Sequence, residues 1–343
     1  MSAEGVDRDA LEAAIDTRRR LVNDAIPEEV PVREPTRLWE ASRYLLDAGG
    51  KRLRPTVLLL MAEALADVEP GTASYRSFPT LGSSRVDVLA AAVSVEIIQT
   101  FTLIHDDIMD ADAYRRGVET VHEAFDLETA ILAGDTLYAT SFERMLETGA
   151  TAARTNRALG LLARTCTSIC EGQARDVGFE GRDDVSLDAY LEMIEQKTAV
   201  LYATSAALPG VLLGADDATI DELYAFGLDF GRAFQIKDDL LDLTADTATL
   251  GKDRGSDLFE GKRTVVTIHA REQGVDVDAL VDDPDVSLEA VVETLEEVGS
   301  LGYAETLAQD FVESAKGRLD VVDDSTASQL LGLLAEYVIE REY

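Results

Sequence analysis

Residues 86–110 read VDVLAAAVSVEIIQTFTLIHDDIMD, and this stretch decides the class of fold. It is almost continuously apolar, contains neither glycine nor proline, and is longer than an ordinary strand, so it predicts a buried helix. Glu96, Gln99, His105 and the aspartates make it a poor membrane span. Helical spacing also dominates on both sides of the stretch, and no alternating strand pattern of useful length competes. The sequence therefore predicts an all-α protein.

The remaining helices follow from the same periodicity, with proline and glycine marking the breaks. Helices are predicted at 7–24, 36–66, 85–110, 128–149, 151–178, 187–208, 216–246, 262–272, 286–298, 302–317 and 325–341. Three prolines separate the first helix from the rest, so residues 1–35 are predicted to form an N-terminal helical extension. Segments 67–87 and 274–287 are predicted to be an exposed loop and an acidic loop. Neither is long enough for an interdomain linker, which predicts one all-α domain over residues 1–343.

The charge balance excludes some classes of partner. The chain has 343 residues, of which 66 are Asp or Glu and 31 are Lys or Arg, for a net charge of -35. Nucleic acids and anionic membranes attract clustered cations, so neither is an expected partner. The carboxylates are spread along the whole chain, which is typical of halophilic proteins; an ordinary acidic cytosolic protein is the alternative.

Two features indicate a cytoplasmic location. Cys166 and Cys170 form neither a disulfide framework nor a CxxC pair. The N-terminus shows no basic segment followed by an apolar one, so no signal peptide is expected.

The first group of residues that indicates chemistry ends the long apolar helix. Asp106 and Asp110 lie ~40° apart around a helix and about 6 Å apart along it, and Gln99 falls on the same stripe. Carboxylates in this arrangement suit a magnesium ion that is shared with substrate phosphates. Arg115 and Arg116 follow, and guanidinium groups match phosphate oxygens.

A second group repeats this chemistry. Gln235, Asp238, Asp239 and Asp242 occupy positions i, i+3, i+4 and i+7 of another long apolar helix, which places them on one face. A buried row of like charges is costly unless cations neutralise it. A single DDxxD in so acidic a chain is as easily a solvated face, but two copies flanked by apolar residues favour a metal.

The rare lysines stand beside glycine or threonine. Lys51 lies in GGKRLRP at 49–55, Lys197 precedes Thr198, and Lys252 and Lys262 lie in GKDRGSDLFEGK at 251–262. Glycine beside lysine lets backbone and ammonium approach an anion together, so these lysines are candidate diphosphate ligands. The stretch at 251–262 does not match a nucleotide-binding P-loop in spacing, and no strand precedes it.

Together these motifs resemble the trans-prenyltransferases, the isoprenyl diphosphate synthases, from Trp39 onward. The resemblance rests on GGKRLRP, LIHDDIMD at 103–110, RRG at 115–117, Gly172-Gln173 with Asp176, Lys197-Thr198, FQIKDDLLD at 234–242 and the GK pairs. It implies an all-α bundle around a deep apolar cavity, usually a homodimer. It also implies a reaction in which an allylic diphosphate ionises and isopentenyl diphosphate attacks the carbocation.

The same resemblance assigns roles to individual residues. The implied magnesium ligands are Asp106, Asp110 and Asp238, with Asp107, Asp239 and Asp242 beside them. The implied ligands of the allylic diphosphate are Arg115, Lys197, Lys252 and Lys262, and those of isopentenyl diphosphate are Lys51, Arg54, Gln99 and Arg116. Lys197, Thr198 and Gln235 are the implied catalytic side chains, the last two as dipoles facing the developing cation. The departing diphosphate is the implied base.

Product length is expected to depend on the residues before the first aspartates. Phe101 stands five positions before Asp106, flanked by Ile98 and Thr102, and this pattern is similar to the archaeal-type geranylgeranyl diphosphate synthases. Paired aromatics would suggest a farnesyl product instead. Because Ile98 and Thr102 are smaller, a geranylfarnesyl product is the main alternative, and Phe101 as a simple core residue is another.

Two other functions are possible for these motifs. A class I terpene cyclase shares the first aspartate group, but its second metal site typically mixes Asn, Ser and Glu. A non-catalytic partner subunit would be expected to lose one aspartate group, and both are intact here. Val265-Val266 departs from the Leu-Pro that many relatives carry, and the 67–87 loop looks longer than usual.

Overall fold

The computed structural model describes residues 6–179, 182, 184–245, 254–281, 283 and 286–341. Over these residues nearly all regular structure is helical, and the strands form only two hairpins with strands of two residues. The prediction of an all-α fold is therefore confirmed. The chain divides into two compact units, and the prediction of a single domain stays a prediction.

The first unit comprises Met1–Cys166, Thr204–Tyr224 and Arg318–Leu334. Its helices are α1 (Arg8–Glu29), α2 (Thr36–Asp47), α3 (Leu53–Ala66), α4 (Val88–Met109), α5 (Val121–Ala124) and α6 (Leu127–Leu146). Strands β1 (Phe78–Pro79) and β2 (Arg85–Val86) pair antiparallel, as do β3 (Tyr114–Arg115) and β4 (Val118–Glu119). Helix α4 is the centre of this unit and packs against α3 and α6.

The second unit comprises Thr167–Ala203, Ala225–Gly317 and Ala335–Tyr343. The remaining helices supply it or run through both units: α7 (Ala152–Phe179), α8 (Leu187–Ile194), α9 (Val200–Leu213), α10 (Asp217–Thr244), α11 (Ser256–Phe259), α12 (Val265–Glu272), α13 (Val277–Val281), α14 (Leu288–Glu297), α15 (Ser300–Arg318) and α16 (Thr326–Glu340). A π turn, Glu195–Ala199, joins α8 to α9. Val265 and Val266 are fully buried in the core of this unit, so the departure noted at these positions is accommodated by packing.

Helix starts follow from residues that the sequence places there. Asp87 accepts a hydrogen bond from the Ala90 amide at the start of α4, and Asp126 does the same for Thr129 at the start of α6. Ser186 caps α8, and Thr264 forms a capping box with Thr267 at α12. These side chains satisfy amide groups that a helix leaves unpaired at its N-terminus.

The predicted helix 36–66 is wrong, because the chain breaks between α2 and α3. Gly49 and Gly50 have φ of 92° and 140°, and Arg52 has φ of 52°. Left-handed backbone cannot continue an α-helix. The break turns the GGK segment into a loop at the start of α3.

Three further predictions need correction. Helix α1 continues through Pro27 to Glu29, because a proline in the last turn removes only one backbone donor. Segment 67–87 is not exposed throughout: Tyr75, Phe78 and Val86 are buried. The acidic loop 274–287 contains α13, with residues 282, 284 and 285 outside the described part of the chain.

Among the described residues, one helix, α4, is long and apolar enough to cross a membrane. Of its most apolar window, 78% is buried inside the protein. The helix serves as the core of the first unit.

Candidate active site

The first aspartate motif lies at the C-terminal end of α4, and its three carboxylates have different surroundings. Asp106 and Asp110 are partly accessible, whereas Asp107 is fully buried. The helix ends at Met109 with Asp110 as its C-cap, and Ala111 takes a left-handed φ of 54°. Asp106 and Asp110 thus share the accessible side predicted from helical spacing.

Asp107 is held by an arginine of the following hairpin. Arg115 Nε donates to Asp107 Oδ1 at 2.6 Å, and Arg115 Nη2 lies 2.9 Å from Asp112 Oδ2. Burial raises the pKa of Asp107 to about 6, although the Arg115 charge opposes the shift. Asp107 thus pairs with Arg115, a predicted diphosphate ligand, and its predicted place among the magnesium ligands stays a prediction.

Arg116 supports the GGK loop. Its guanidinium donates to the Gly49 carbonyl and, at 3.3 Å, to the Leu45 carbonyl. It also lies so close to Gly50 that a β-carbon there would collide with it. Arg116 therefore holds the backbone that precedes Lys51. Lys51 is exposed, and Arg54 and Gln99 are partly buried in the same unit.

The second aspartate motif, on α10, also combines an accessible carboxylate with buried ones. The Asp238 side chain is 32% exposed, whereas Asp239 and Asp242 are buried. Asp242 accepts from the Ser256 hydroxyl at 3.0 Å and from the Asp257 amide at 3.2 Å, so it holds the start of α11. Asp238 is thus the most accessible carboxylate of this motif, and the metal-binding role predicted for Asp238, Asp239 and Asp242 stays a prediction.

A chain of hydrogen bonds runs through the second unit. Thr198 Oγ1 donates to Gln235 Oε1 at 2.8 Å, and Gln235 Nε2 donates to Asp239 Oδ1 at 3.0 Å. The fully buried Tyr190 donates to the other oxygen of Asp239. Burial raises the pKa of Asp239 to about 8, with the bonds from Tyr190 and Gln235 opposing the shift. These hydrogen bonds fix the orientation of both predicted dipoles, Thr198 and Gln235.

The π turn presents Lys197. Widened helical turns are common at functional sites, since they add a residue without ending the helix. Lys197 Nζ lies 2.5 Å from Asp176 Oδ2 of α7, which joins two motifs quoted from the sequence. Glu195, in the same turn, pairs with Arg232 of α10.

Of the two other lysines predicted to bind the allylic diphosphate, the structure describes Lys262. Lys262 Nζ lies 2.9 Å from Glu260 Oε2 and 3.3 Å from Asp257 Oδ1, and its side chain is partly accessible. Lys252 lies outside the described residues.

The predicted chain-length residues lie on α4 in the first unit. Phe101 is buried, and its ring packs edge-on against His105 at 5.4 Å and Tyr138 at 5.2 Å between centroids. Ile98 is fully buried, and Thr102 donates to the Gln99 carbonyl. Tyr138 of α6 was not predicted, because nothing in the sequence pairs α6 with this position.

The carboxylates suit magnesium by donor chemistry. Asp106, Asp110 and Asp238 are accessible hard oxygen donors, and such donors bind Mg²⁺ together with substrate phosphates. Within the part of the chain that the structure describes, no group of three His, Cys, Asp or Glu residues forms a complete metal site.

A profile of the polyprenyl synthetase family matches residues 35–297. The chain belongs to this family. The polyprenyl synthetase match confirms the resemblance drawn from the motifs, and the enzyme class is a prenyltransferase.

Similar proteins agree with this assignment over almost the whole chain. A geranylfarnesyl diphosphate synthase of Natronomonas pharaonis is 62% identical, with 98% of this chain and 99% of the relative covered. A geranylgeranyl diphosphate synthase of Methanosarcina mazei is 46% identical, with 96% and 97% covered.

Solved structures show the same isoprenoid synthase fold. A geranylgeranyl pyrophosphate synthetase of Pyrococcus horikoshii is 35% identical at a TM-score of 0.86, covering 97% of this chain and 99% of its own. A polyprenyl synthase of Caulobacter crescentus, complexed with calcium and isoprenyl diphosphate, is 29% identical at a TM-score of 0.81 with both chains covered fully.

Proposed function

We propose that this polyprenyl synthetase condenses isopentenyl diphosphate with an allylic diphosphate and yields mainly geranylgeranyl diphosphate for isoprenoid or ether-lipid synthesis. The observation that carries the proposal is the division of both aspartate motifs. Each motif combines partly accessible carboxylates, Asp106 and Asp110 in one and Asp238 in the other, with carboxylates that are buried against the protein. An anionic row arranged in this way serves a cationic ligand better than it serves stability.

The proposed roles follow the family resemblance and the contacts. Asp106, Asp110 and Asp238 would hold magnesium, which when bound neutralises the diphosphate leaving group.

Asp107 orients Arg115 toward the allylic diphosphate, and Asp176 orients Lys197. Lys252 and Lys262 would complete that set of cations. Lys51, Arg54, Gln99 and Arg116 would bind isopentenyl diphosphate.

The developing carbocation must be stabilised by dipoles from groups that do not attack it as nucleophiles. Thr198 and Gln235 supply such dipoles, and their hydrogen bonds to one another and to Asp239 keep them from rotating. Apolar surroundings would exclude water, which would otherwise quench the cation. The departing diphosphate takes the final proton, so no side-chain base is assigned.

A twenty-five-carbon product is the second candidate. It is favoured by the 62% identity to a protein named as a geranylfarnesyl diphosphate synthase. The twenty-carbon product is favoured by the buried Phe101 ring, which packs against Tyr138 and would form the floor that limits chain length. The two candidates share the reaction and differ only in chain length.

We also propose a homodimer in the cytoplasm, with no nucleic acid or membrane as a stable partner. Helix α6 exposes large apolar side chains, namely Leu127, Ile131, Leu132, Tyr138 and Leu146. An apolar helix face of this kind is typical of an interface between subunits. Light scattering after gel filtration in multimolar KCl should give a dimer mass, and Ile131→Asp should give a monomer. Leu81→Asp, at an exposed leucine of the 67–87 segment, is the control.

The test of the reaction is direct. The purified chain is incubated in high KCl with magnesium, labelled isopentenyl diphosphate, and dimethylallyl, geranyl or farnesyl diphosphate in turn, and the dephosphorylated products are sized. Geranylgeraniol as the main product supports the first candidate, and a longer alcohol supports the second. If a folded chain elongates no primer, the proposal fails and a cyclase or partner-subunit function gains support.

A further inference from the structure

The end of helix α16 lies beside the second aspartate motif, within the second unit. The Arg341 amide donates to the Tyr337 carbonyl at 3.1 Å, so helical hydrogen bonding reaches this residue. Its side chain is only 3% exposed. Arginine is almost never fully buried unless it is paired, so this burial needs a specific cause.

Two consecutive turns of α10 supply that cause. Arg341 Nη2 donates to Asp238 Oδ1. The guanidinium carbon lies 4.1 Å from the centre of the Phe234 ring, and Nη2 lies 3.5 Å from the Phe234 carbonyl oxygen. Phe234 and Asp238 are four residues apart and share one helix face. The guanidinium is thus stacked on one residue and paired with the other.

The carboxylate that Arg341 contacts is the accessible member of its motif. Asp239 is held by Tyr190 and Gln235, and Asp242 holds α11, whereas Asp238 is the predicted magnesium ligand. A guanidinium and a divalent cation cannot both approach one carboxylate oxygen without strong repulsion. Metal binding at Asp238 therefore competes with Arg341.

We propose that Arg341 is a positioning residue for Asp238: it holds this carboxylate while no metal is bound and releases it when a divalent cation binds together with diphosphate. The end of α16 then loses its ion pair, so the C-terminal turn reports occupancy of the site. This inference rests on the proposed function, because it assumes that Asp238 binds metal in the reaction.

The experiment measures metal binding and not turnover. The full chain in high KCl is titrated with Mn²⁺ in the presence of inorganic diphosphate, and bound metal is followed by electron paramagnetic resonance. Arg341→Gln should bind Mn²⁺ more tightly by roughly tenfold, the scale expected when one partner of a directly coupled pair is removed. Arg341→Lys keeps the charge and loses the stacking geometry, so it should fall between Arg341→Gln and the wild type.

Lys316→Gln is the matched control. Lys316 Nζ lies 2.6 Å from Glu336 Oε1, so this variant also loosens α16 but leaves Asp238 alone. Its Mn²⁺ affinity should equal that of the wild type. In hydrogen exchange, residues 335–341 of the wild type should exchange faster after Mn²⁺ and diphosphate are added, a readout that does not depend on any variant folding.

Three results would overturn the inference. One is an equal Mn²⁺ affinity of Arg341→Gln and wild type, and another is slower exchange of residues 335–341 on ligand addition. A third is a gain in affinity of Lys316→Gln equal to that of Arg341→Gln, which would indicate a general loosening of α16. If the wild type elongates primers while these results hold, only the role of Arg341 is refuted; if it binds no Mn²⁺ at all, the proposed metal role is refuted as well.

Discussion

Gly172 of α7 packs directly against the backbone of Lys197, and a β-carbon at position 172 would overlap the Lys197 nitrogen. Gly231 of α10 approaches Ala199 in the same way, so two glycines hold the π turn between neighbouring helices. Backbone contacts this close leave the turn little freedom to rewind into an α-helix. The position of Lys197 thus depends on residues that carry no chemistry of their own.

Gly172→Ala should therefore impair both stability and substrate binding. We expect a loss of about 1–3 kcal/mol in the free energy of unfolding, as for other overpacked sites. We also expect a higher KM for the allylic diphosphate, because Lys197 would be displaced. Gly178→Ala on the same helix has open space around the added carbon and should change neither quantity. Equal KM values in the two variants would contradict the assigned role of the π turn.

Asp106→Ala should abolish most turnover and leave the helices intact. Charge stabilisation by a metal is worth several kcal/mol, so kcat should fall by roughly two to three orders of magnitude. Circular dichroism should stay unchanged, since Asp106 is a partly accessible side chain. Asp221→Ala, at an exposed aspartate of α10, is the control for loss of a negative charge. A fully active Asp106→Ala enzyme would refute the metal assignment.

Phe101→Ala should lengthen the product. The Phe101 ring is buried and supported by Tyr138 and His105, so its removal opens space that smaller neighbours do not fill. Products of the variant and the wild type are sized side by side at fixed primer and metal concentrations. Phe259→Ala, at an exposed phenylalanine, should leave the distribution unchanged. An unchanged distribution in Phe101→Ala would mean that this ring is only part of the core.

Tyr75→Phe should change how stability depends on alkaline pH. Tyr75 donates to Glu63, which also pairs with Arg18, and burial raises the pKa of Tyr75 above its ordinary value. Above pH ~10 the unfolded chain ionises this tyrosine while the folded chain keeps it protonated, so the wild type loses stability as pH rises.

The two proteins are compared by chemical unfolding from pH 8 to 11. At pH 8 the variant should be less stable by about 1–2 kcal/mol, since the buried Glu63 carboxylate loses one of its donors. That difference should shrink toward pH 11, because the variant has no hydroxyl to ionise. A difference that is constant across the range would show that Tyr75 titrates alike in both states.

Salt should stabilise the chain strongly. With a net charge of -35, repulsion among carboxylates opposes folding at low ionic strength, and screening removes much of it. We expect Tm to rise steeply between low and multimolar KCl, measured by circular dichroism. An unchanged Tm would contradict the halophilic interpretation.

Helical spacing predicted the accessible side of the first motif, and it predicted one shared face for the second. The first prediction agrees with the structure because Asp106 and Asp110 lie one turn apart whatever surrounds them. The second prediction does not anticipate that tertiary contacts separate the carboxylates of this motif into accessible and buried ones. Tyr190 and Ser256, far away in sequence, remove Asp239 and Asp242 from the accessible face.

The sequence by itself determined the helical class, the family and the residue types of the site, since periodicity and motif spacing are local properties of the chain. The tertiary structure alone decided which carboxylates are open, that Arg116 supports the GGK loop, and that Arg341 contacts Asp238. These outcomes depend on pairs separated by many residues. Their partners are selected by burial and charge in three dimensions, and no local pattern in the sequence records that selection.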